Sequence, residues 1–257
     1  MIRVGVLGAG GRMGQAIIAA IAADPRMVLA GAVERAGHRS VGAKLGGGLT
    51  ICSNPSALAH ACDVMVDFTS PDALEANLDA AWSTRTAIVI GTTGLEAKHD
   101  AAVTRAARDI AVLQTANTSI GVTVLAGLVE AAAARLADWD IEILELHHRD
   151  KRDAPSGTAL ALGAAAARGR GTTLDAVRTG LRDGVGPVRA KGSIGFAALR
   201  GGSAAGDHMV LFAGDGERIE LIHRAESRDI FAHGAVTAAA WLAGKPPGRY
   251  TMADVVG

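Results

Sequence analysis

The sequence is poor in cysteine, in aromatic residues and in net charge. Its 257 residues include two cysteines, Cys52 and Cys62, and 3% aromatics, and its 26 basic and 26 acidic side chains cancel. Two thiols make neither a disulfide framework nor a four-ligand zinc centre. A neutral chain lacks the broad field that draws proteins to nucleic acid or to membrane surfaces, and so few rings offer no platform for stacked bases. A local basic pocket for a small anion stays possible. The longest uncharged stretch, 110–129, contains Gln114, Thr115, Asn117, Thr118, Ser119 and Thr123. Lipid solvates such side chains poorly, so no membrane span is expected. Residues 1–10 lack the apolar core and small-residue cleavage site of a secretory leader, so the expected setting is the reducing cytoplasm. What is present is an ordinary globular composition, 49% hydrophobic and 20% charged, enough for one large domain or two modest ones.

The first half alternates short β-branched runs with Ala-rich helical runs. Strands are predicted over 3–7, 28–33, 49–53, 64–68, 87–90 and 110–114. Helices are predicted over 13–23, from Asn54-Pro55-Ser56 to 61, from Ser70-Pro71-Asp72 to 81, and over 97–108. Strands apolar on both faces, separated by helices, imply an α/β fold with a covered parallel sheet. The pattern changes after Ser119. A helix over 122–136, a strand over 140–146 and a helix over 155–167 lead into a polar, Gly-rich stretch, 168–187. Strands over 193–199, 208–212 and 217–223 follow, the last two joined by the hairpin signal Gly214-Asp215-Gly216. This second block reads as an α+β domain with a mixed sheet. A last helix, 230–243, is expected to return to the first domain, giving a division into 1–118 with 229–257, and 119–228.

The first strand ends in Gly8-Ala9-Gly10-Gly11-Arg12-Met13-Gly14, and a helix follows at once. Glycine permits a tight turn and a close backbone approach to a diphosphate, to which the helix start presents N–H groups and positive potential. Met13 stands where strict GxGxxG spacing has its third glycine. A plain α/β turn is the alternative, but the strand–loop–helix context favours a dinucleotide. Glu34, ending the second strand 20 residues past Gly14, can accept from ribose hydroxyls, and Arg35 can pair with a 2′-phosphate. Having both points to NADH and NADPH alike, the alternative for Arg35 being a solvated ion pair. The loops 91–94 (Gly91-Thr92-Thr93-Gly94) and 115–119 (Thr115-Ala116-Asn117-Thr118-Ser119) also follow strand ends, where ligands of open sheets bind. Loops are also commonly rich in such residues for turn chemistry alone.

The segment 145–158 is the richest in chemistry. His147, His148, Arg149, Lys151 and Arg152 fall within six residues, just before a helix start near Pro155 to Gly157. Histidine and a lysine among other cations can donate protons near neutrality, and the amides of Gly157 and Thr158 can face a carboxylate. A solvated charge run is the ordinary alternative. Metal binding is disfavoured, because adjacent histidines on a strand point to opposite faces and no cysteine lies near. Neutral overall charge argues against nucleic acid, and Ser156 lacks a GxSxG elbow.

GAGGRMG at 8–14, DFTSPD at 67–72, GTTG at 91–94, ANTSIGV at 116–122, ELHHRDKRDAPSGTA at 145–159 and HRAESRDIFAHGA at 223–235 together resemble the 4-hydroxy-tetrahydrodipicolinate (dihydrodipicolinate) reductase family, over essentially the whole chain. The resemblance implies a Rossmann domain and a substrate domain whose sheet builds a homotetramer. It implies reduction of a cyclic dicarboxylate by NADH or NADPH with loss of water, on the diaminopimelate route to lysine. By motif, Gly8, Ala9, Gly10, Gly11, Arg12 and Met13 would hold the diphosphate, and Glu34 and Arg35 the adenosine ribose. Gly91, Thr92, Thr93, Thr115, Ala116, Asn117 and Thr118 would line the nicotinamide side. His147 and Lys151 match the proton-transferring positions, and His148, Gly157 and Thr158 the substrate-binding ones. Family members commonly have a bulky apolar residue where Thr118 sits. Closure on binding is expected, with hinges near Ser119 and Arg228. Two other readings stay open: a Rossmann dehydrogenase for another amino-acid semialdehyde, and a non-catalytic NAD(H) sensor, which has no need of clustered proton donors.

Overall fold

Strands that are apolar on both faces need a helical layer on each side. In the computed structural model, which describes residues 1–180 and 182–257, the chain begins with that arrangement: β1 (Ile2–Leu7), α1 (Arg12–Ala23), β2 (Met27–Val33), α2 (Pro55–Ala61), β3 (Val64–Asp67), α3 (Leu74–Thr84), β4 (Ala87–Ile90), α4 (Ala97–Ala106) and β5 (Ala111–Gln114). It continues with α5 (Ile120–Arg135), β6 (Asp140–His147), α6 (Gly157–Gly169), α7 (Leu174–Val177), β7 (Ile194–Arg200), β8 (Asp207–Ala213) and β9 (Arg218–Arg224). It closes with α8 (Asp229–Leu242), β10 (Gly248–Tyr250) and α9 (Met252–Val256). Met1–Ser119 and Asp229–Gly257 form one unit, Ile120–Arg228 the other. No helix of the described residues is long and apolar enough to cross a membrane.

The first unit is a six-stranded parallel sheet in the order β10-β5-β4-β3-β1-β2. Alternate residues of each strand serve opposite layers. Val64, Val66 and Val89 pack with Ile17 and Ile21 of α1 and Ala235 and Leu242 of α8. Met65, Ile88 and Ile90 pack with Leu58 of α2, Leu78 of α3 and Val103 of α4. Each such buried side chain stabilises by about 1.5–3 kcal/mol relative to exposure. The chain leaves β1 for β2 on one side and returns to β3 on the other. That reversal opens a crevice beyond the strand ends, where open α/β sheets bind ligands.

The second unit is a mixed sheet, β7-β6-β8-β9, with β6 and β7 parallel and the other pairs antiparallel. Its inner face packs Ile141, Ile143, Val210 and Phe212 against Leu125 and Val129 of α5 and Leu162 of α6. The outer face carries half-buried Leu144, Leu146, Met209 and Leu211 with exposed Leu199 and Ile222. Gly216, with φ at 80°, makes the β8–β9 turn.

Several local expectations are corrected. The stretch 49–53 makes only single bridges, Lys44 with Thr50 and Val33 with Cys52; the Gly46–Gly48 turn just before it leaves no run long enough to pair. Ser70-Pro71-Asp72 opens a 3-10 turn before α3 begins at Leu74. Helix α6 begins at Gly157, because Ser156 is its cap and accepts from the Ala159 amide at 3.1 Å. The Gly-rich stretch 168–187, of which Leu181 lies outside the described residues, contains the single turn α7. Strand β10 and helix α9 had no sequence expectation. Three residues after two prolines show no alternation, and β10 exists through backbone pairing to β5.

Glycine 234 of α8 faces the Thr118 carbonyl so closely that a Cβ there would lie 1.8 Å from the carbonyl oxygen. Gly127, on the exposed side of α5, has open space around it. Gly234→Ala is therefore expected to destabilise by about 1–3 kcal/mol, and Gly127→Ala to stabilise by roughly 0.4–1 kcal/mol. Thermal melts of the two variants should shift in opposite directions.

Candidate active site

In the first unit, Gly8 adopts φ of 81°, and its amide and that of Ala9 both donate to the Val33 carbonyl, at 2.9 and 3.0 Å. The turn closes with the Gly11 amide donating to Gly8 O at 3.0 Å. A Cβ on Gly14 would sit 2.2 Å from Gly8 O, so Gly14 lets α1 press onto the turn. No side chain caps the start of α1, and its first turn carries no acid. These features leave its positive end available to an anion. Arg12 and Met13 are its first two residues.

Glu34 is tied to this turn. Its Oε2 accepts from the Gly10 amide at 2.9 Å, and its Oε1 from the Arg35 amide at 3.0 Å. The exposed Arg35 makes no ion pair among the described residues. A cavity of about 400 Å³ is lined by Gly8, Gly11, Glu34, Arg35, His38 and Ser53, among others. The residues fit a dinucleotide: glycine where the backbone must come close, an uncapped helix start, and a carboxylate at the end of β2.

The loop 91–94 meets a group that sequence reasoning missed, the fully buried carboxyl of Asp67 at the end of β3. It accepts from the Thr69 amide (3.0 Å), Thr69 Oγ1 (2.6 Å), Thr92 Oγ1 (3.1 Å) and Asn77 Nδ2 (3.0 Å). Burial raises its pKa, and these four bonds only partly oppose that. Gly91 is backed by the Phe68 ring, which a Cβ would penetrate; Thr93 is exposed. Thr115 Oγ1 donates to Asn117 O at 2.7 Å, with Ala116 exposed between them. Thr118 lies at the buried end of the loop 115–119. It is 2% exposed, and its hydroxyl donates inward to Phe231 O at 2.7 Å. Only its backbone remains for a cofactor.

In the second unit, the inward positions of β6 run Ile141, Ile143, Glu145, His147, all buried. The stripe turns polar where the strand ends. Glu145 Oε2 lies 2.5 Å from His147 Nδ1, and Glu145 Oε1 accepts from the Ser156 amide at 3.1 Å. Arg200, at the end of β7, grips both carboxylate oxygens at 2.8 and 2.9 Å. Burial alone would push the Glu145 carboxyl up, but Arg200, His147 and the Ser156 amide together hold it below its ordinary value. Lys151 Nζ lies 2.9 Å from the Asp153 carboxylate. His148 has a different partner. Its Nε2 accepts from Arg228 at 3.0 Å, beside a cavity of about 570 Å³ lined also by Arg149, Asp150 and Ser203. The structure thus joins His147, Lys151 and the start of α6, with Gly157 and Thr158, through Glu145 and Arg200, and pairs His148 with Arg228. Glu145, Ser156, Arg200 and His208 were not among the expected site residues. An acid on an alternating apolar stripe was the one signal available for Glu145; Ser156 stood in the same charged segment, and Arg200 and His208 come from distant ones.

His208 is 4% exposed, its Nε2 lies 3.0 Å from Ser156 Oγ, and its ring meets His147 edge-on at 5.1 Å. Burial, with His147 as a like-charge neighbour, pushes its pKa from 6.5 down to about 4. The unfolded chain therefore binds a proton at pH values where the folded one does not, and stability declines as pH falls from 6.5 towards about 4. The decline from this group is at most about 3 kcal/mol. His208→Gln should flatten that part of a thermal-midpoint-against-pH curve.

The family pattern for the N-terminus of dihydrodipicolinate reductase matches residues 2–118, and that for its C-terminus matches 121–256. The second match includes α8 to α9, which fold with the first unit. A 4-hydroxy-tetrahydrodipicolinate reductase of Zymomonas mobilis is 51% identical over 257 residues, covering 100% of this chain and 97% of the relative. Another, of Rhodopseudomonas palustris, is 48% identical, again covering 100% and 97%. The dipicolinate-bound dihydrodipicolinate reductase of Paenisporosarcina sp. TG-14 shares the fold, with a TM-score of 0.81 at 22% identity over 98% of this chain and 97% of that one. The chain belongs to the dihydrodipicolinate reductase family.

Proposed function

We propose that this NAD(P)H-dependent oxidoreductase reduces 4-hydroxy-tetrahydrodipicolinate to tetrahydrodipicolinate, with loss of water, using His147 and Lys151 to move the protons. The product feeds lysine through diaminopimelate. The observation that carries the proton-transfer assignment is the buried contact between His147 Nδ1 and the Glu145 carboxylate, at the foot of the loop that bears Lys151. Family membership across both halves replaces the two competing readings, the semialdehyde dehydrogenase and the silent sensor.

Gly8 to Met13 hold the diphosphate of the cofactor, Glu34 and Arg35 its adenosine ribose, and Gly91 to Thr93 with Thr115 to Thr118 its nicotinamide end. NADH or NADPH, when bound, supplies the hydride. The chain's own work is orientation and proton supply. Loss of water consumes no net proton, because the departing hydroxyl takes the proton that a neighbouring ring carbon gives up as the double bond forms. Hydride addition then leaves one proton to be taken up by the ring carbon beside the reduced one. His147 Nε2 and Lys151 Nζ are the groups that relay the first proton and supply the second. The substrate's carboxylates are held by His148, which carries the Arg228 guanidinium beside it, and by Gly157 and Thr158 at the start of α6, whose helix end favours an anion.

The same reading makes the chain a homotetramer through the outer face of the second sheet, where Leu144, Leu146, Leu199, Met209, Leu211 and Ile222 lie together. Contiguous exposed apolar surface of this kind marks association sites.

Two measurements test these assignments. With substrate freshly condensed from pyruvate and aspartate semialdehyde, His147→Gln and Lys151→Ala should each lower kcat by about 10²–10⁴-fold, with NADH affinity unchanged by fluorescence titration. Wild-type rates in both variants would remove both proton-transfer roles. In sedimentation velocity, the wild type should run as a tetramer, and Leu199→Glu with Ile222→Glu as smaller species. A wild-type monomer would refute the assembly.

A further inference from the structure

The roles above leave Glu145 and Arg200 without a function, yet their bonding is complete. A guanidinium has five N–H donors. In Arg200, Nε donates to Lys151 O (3.2 Å), Nη1 to Glu145 Oε2 (2.8 Å) and Leu199 O (2.6 Å), and Nη2 to Glu145 Oε1 (2.9 Å) and Asp153 O (2.6 Å). All five are used. An ionised carboxylate has about four acceptor sites. Those of Glu145 take Arg200 twice, the Ser156 amide and His147 Nδ1. The Glu145 side chain is 1% exposed and that of Arg200 20%.

Such a pair is not explained by stability. Apolar side chains in place of a buried ion pair are commonly neutral or stabilising, because desolvation offsets the attraction. The neighbouring inward positions of β6, Ile141 and Ile143, show that this stripe accepts apolar side chains. What an apolar residue could not do is dictate a proton position. Glu145 is held ionised and can only accept, so the proton between it and His147 belongs to Nδ1. Nε2 is then the nitrogen free to exchange protons. The backbone beside it is Gly206, where a Cβ would lie 2.9 Å from Nε2. Arg200, in turn, binds the carbonyls on either side of Arg152, so it fixes the backbone carrying Lys151. Glu145 fixes Ser156, the cap of α6.

We propose that Arg200 and Glu145 are positioning residues for proton transfer: the pair holds His147 as its Nδ1–H tautomer and ties the Lys151 loop and the start of α6 to one buried point. The proposal rests on the reading that His147 and Lys151 act on the substrate.

Arg200→Ala tests it, assayed with the same substrate beside His147→Gln. The variant should lose about 10²-fold in kcat, keep its NADH affinity, and regain at least part of that loss when guanidinium is added. His147→Gln should gain nothing from guanidinium. A kcat within a few-fold of wild type overturns the proposal. So does a loss that guanidinium leaves untouched and that tracks a fall in thermal midpoint, since that marks a structural role only. If Arg200→Ala fails to fold, the neutral pair Glu145→Gln with Arg200→Met is read instead. A folded, slow double variant supports the proposal, and a folded, fast one overturns it. Wild-type turnover by His147→Gln would instead sink the parent reading and leave the geometry of the pair without a reaction to serve.

Discussion

The second unit depends on one buried carboxylate. Glu145 sits where an apolar stripe of β6 reaches its end, and four donors from three separate segments converge on it. Without Arg200 the charge would be stranded in a low-dielectric interior, at a cost of several kcal/mol. With it, the carboxylate stays ionised and becomes a fixed acceptor. His147 and the cap of α6 bond to that acceptor, and the backbone around Lys151 bonds to its Arg200 partner.

The first unit solves a related problem differently. Asp67 is also fully buried at a strand end, but neutral donors surround it, two hydroxyls and two N–H groups. Its pKa is raised where that of Glu145 is lowered. The contrast follows from the partner. A guanidinium stabilises the charged form strongly enough to overcome desolvation, and hydroxyl and amide donors do not. In both units a buried acid at the end of a strand organises the loops above it, which is where an open sheet presents its ligand site.

Much of the fold was legible because it follows from local periodicity. Valine and isoleucine on both faces of 64–67 and 87–90 required two helical layers, and 141, 143, 210 and 212 alternated as a one-sided sheet does. The failures were local too. The stretch 49–53 has β-branched character but no room to pair, and β10 pairs through backbone alone, which leaves no mark in side-chain pattern. Within the site, His147, Lys151, Gly157 and Thr158 stood in one charged segment and could be named as a group. Thr118 was placed on the nicotinamide side by motif, and that its hydroxyl donates to Phe231 O of α8 was not legible, because the two residues lie far apart in the chain.

The sequence by itself determined which chemistry is available: a glycine turn before a helix, an acid after the second strand, and proton donors packed into one loop before another helix start. These are properties of neighbours in the chain, and short-range sterics and dipoles suffice to read them. Only the tertiary structure decided which nitrogen of His147 meets the Glu145 carboxylate, and that His148 pairs with Arg228. Those outcomes depend on Arg200, Arg228 and Gly206, each more than 50 residues distant along the chain from its partner. Hydrogen-bond geometry between such segments exists only once the sheet has brought their strand ends together.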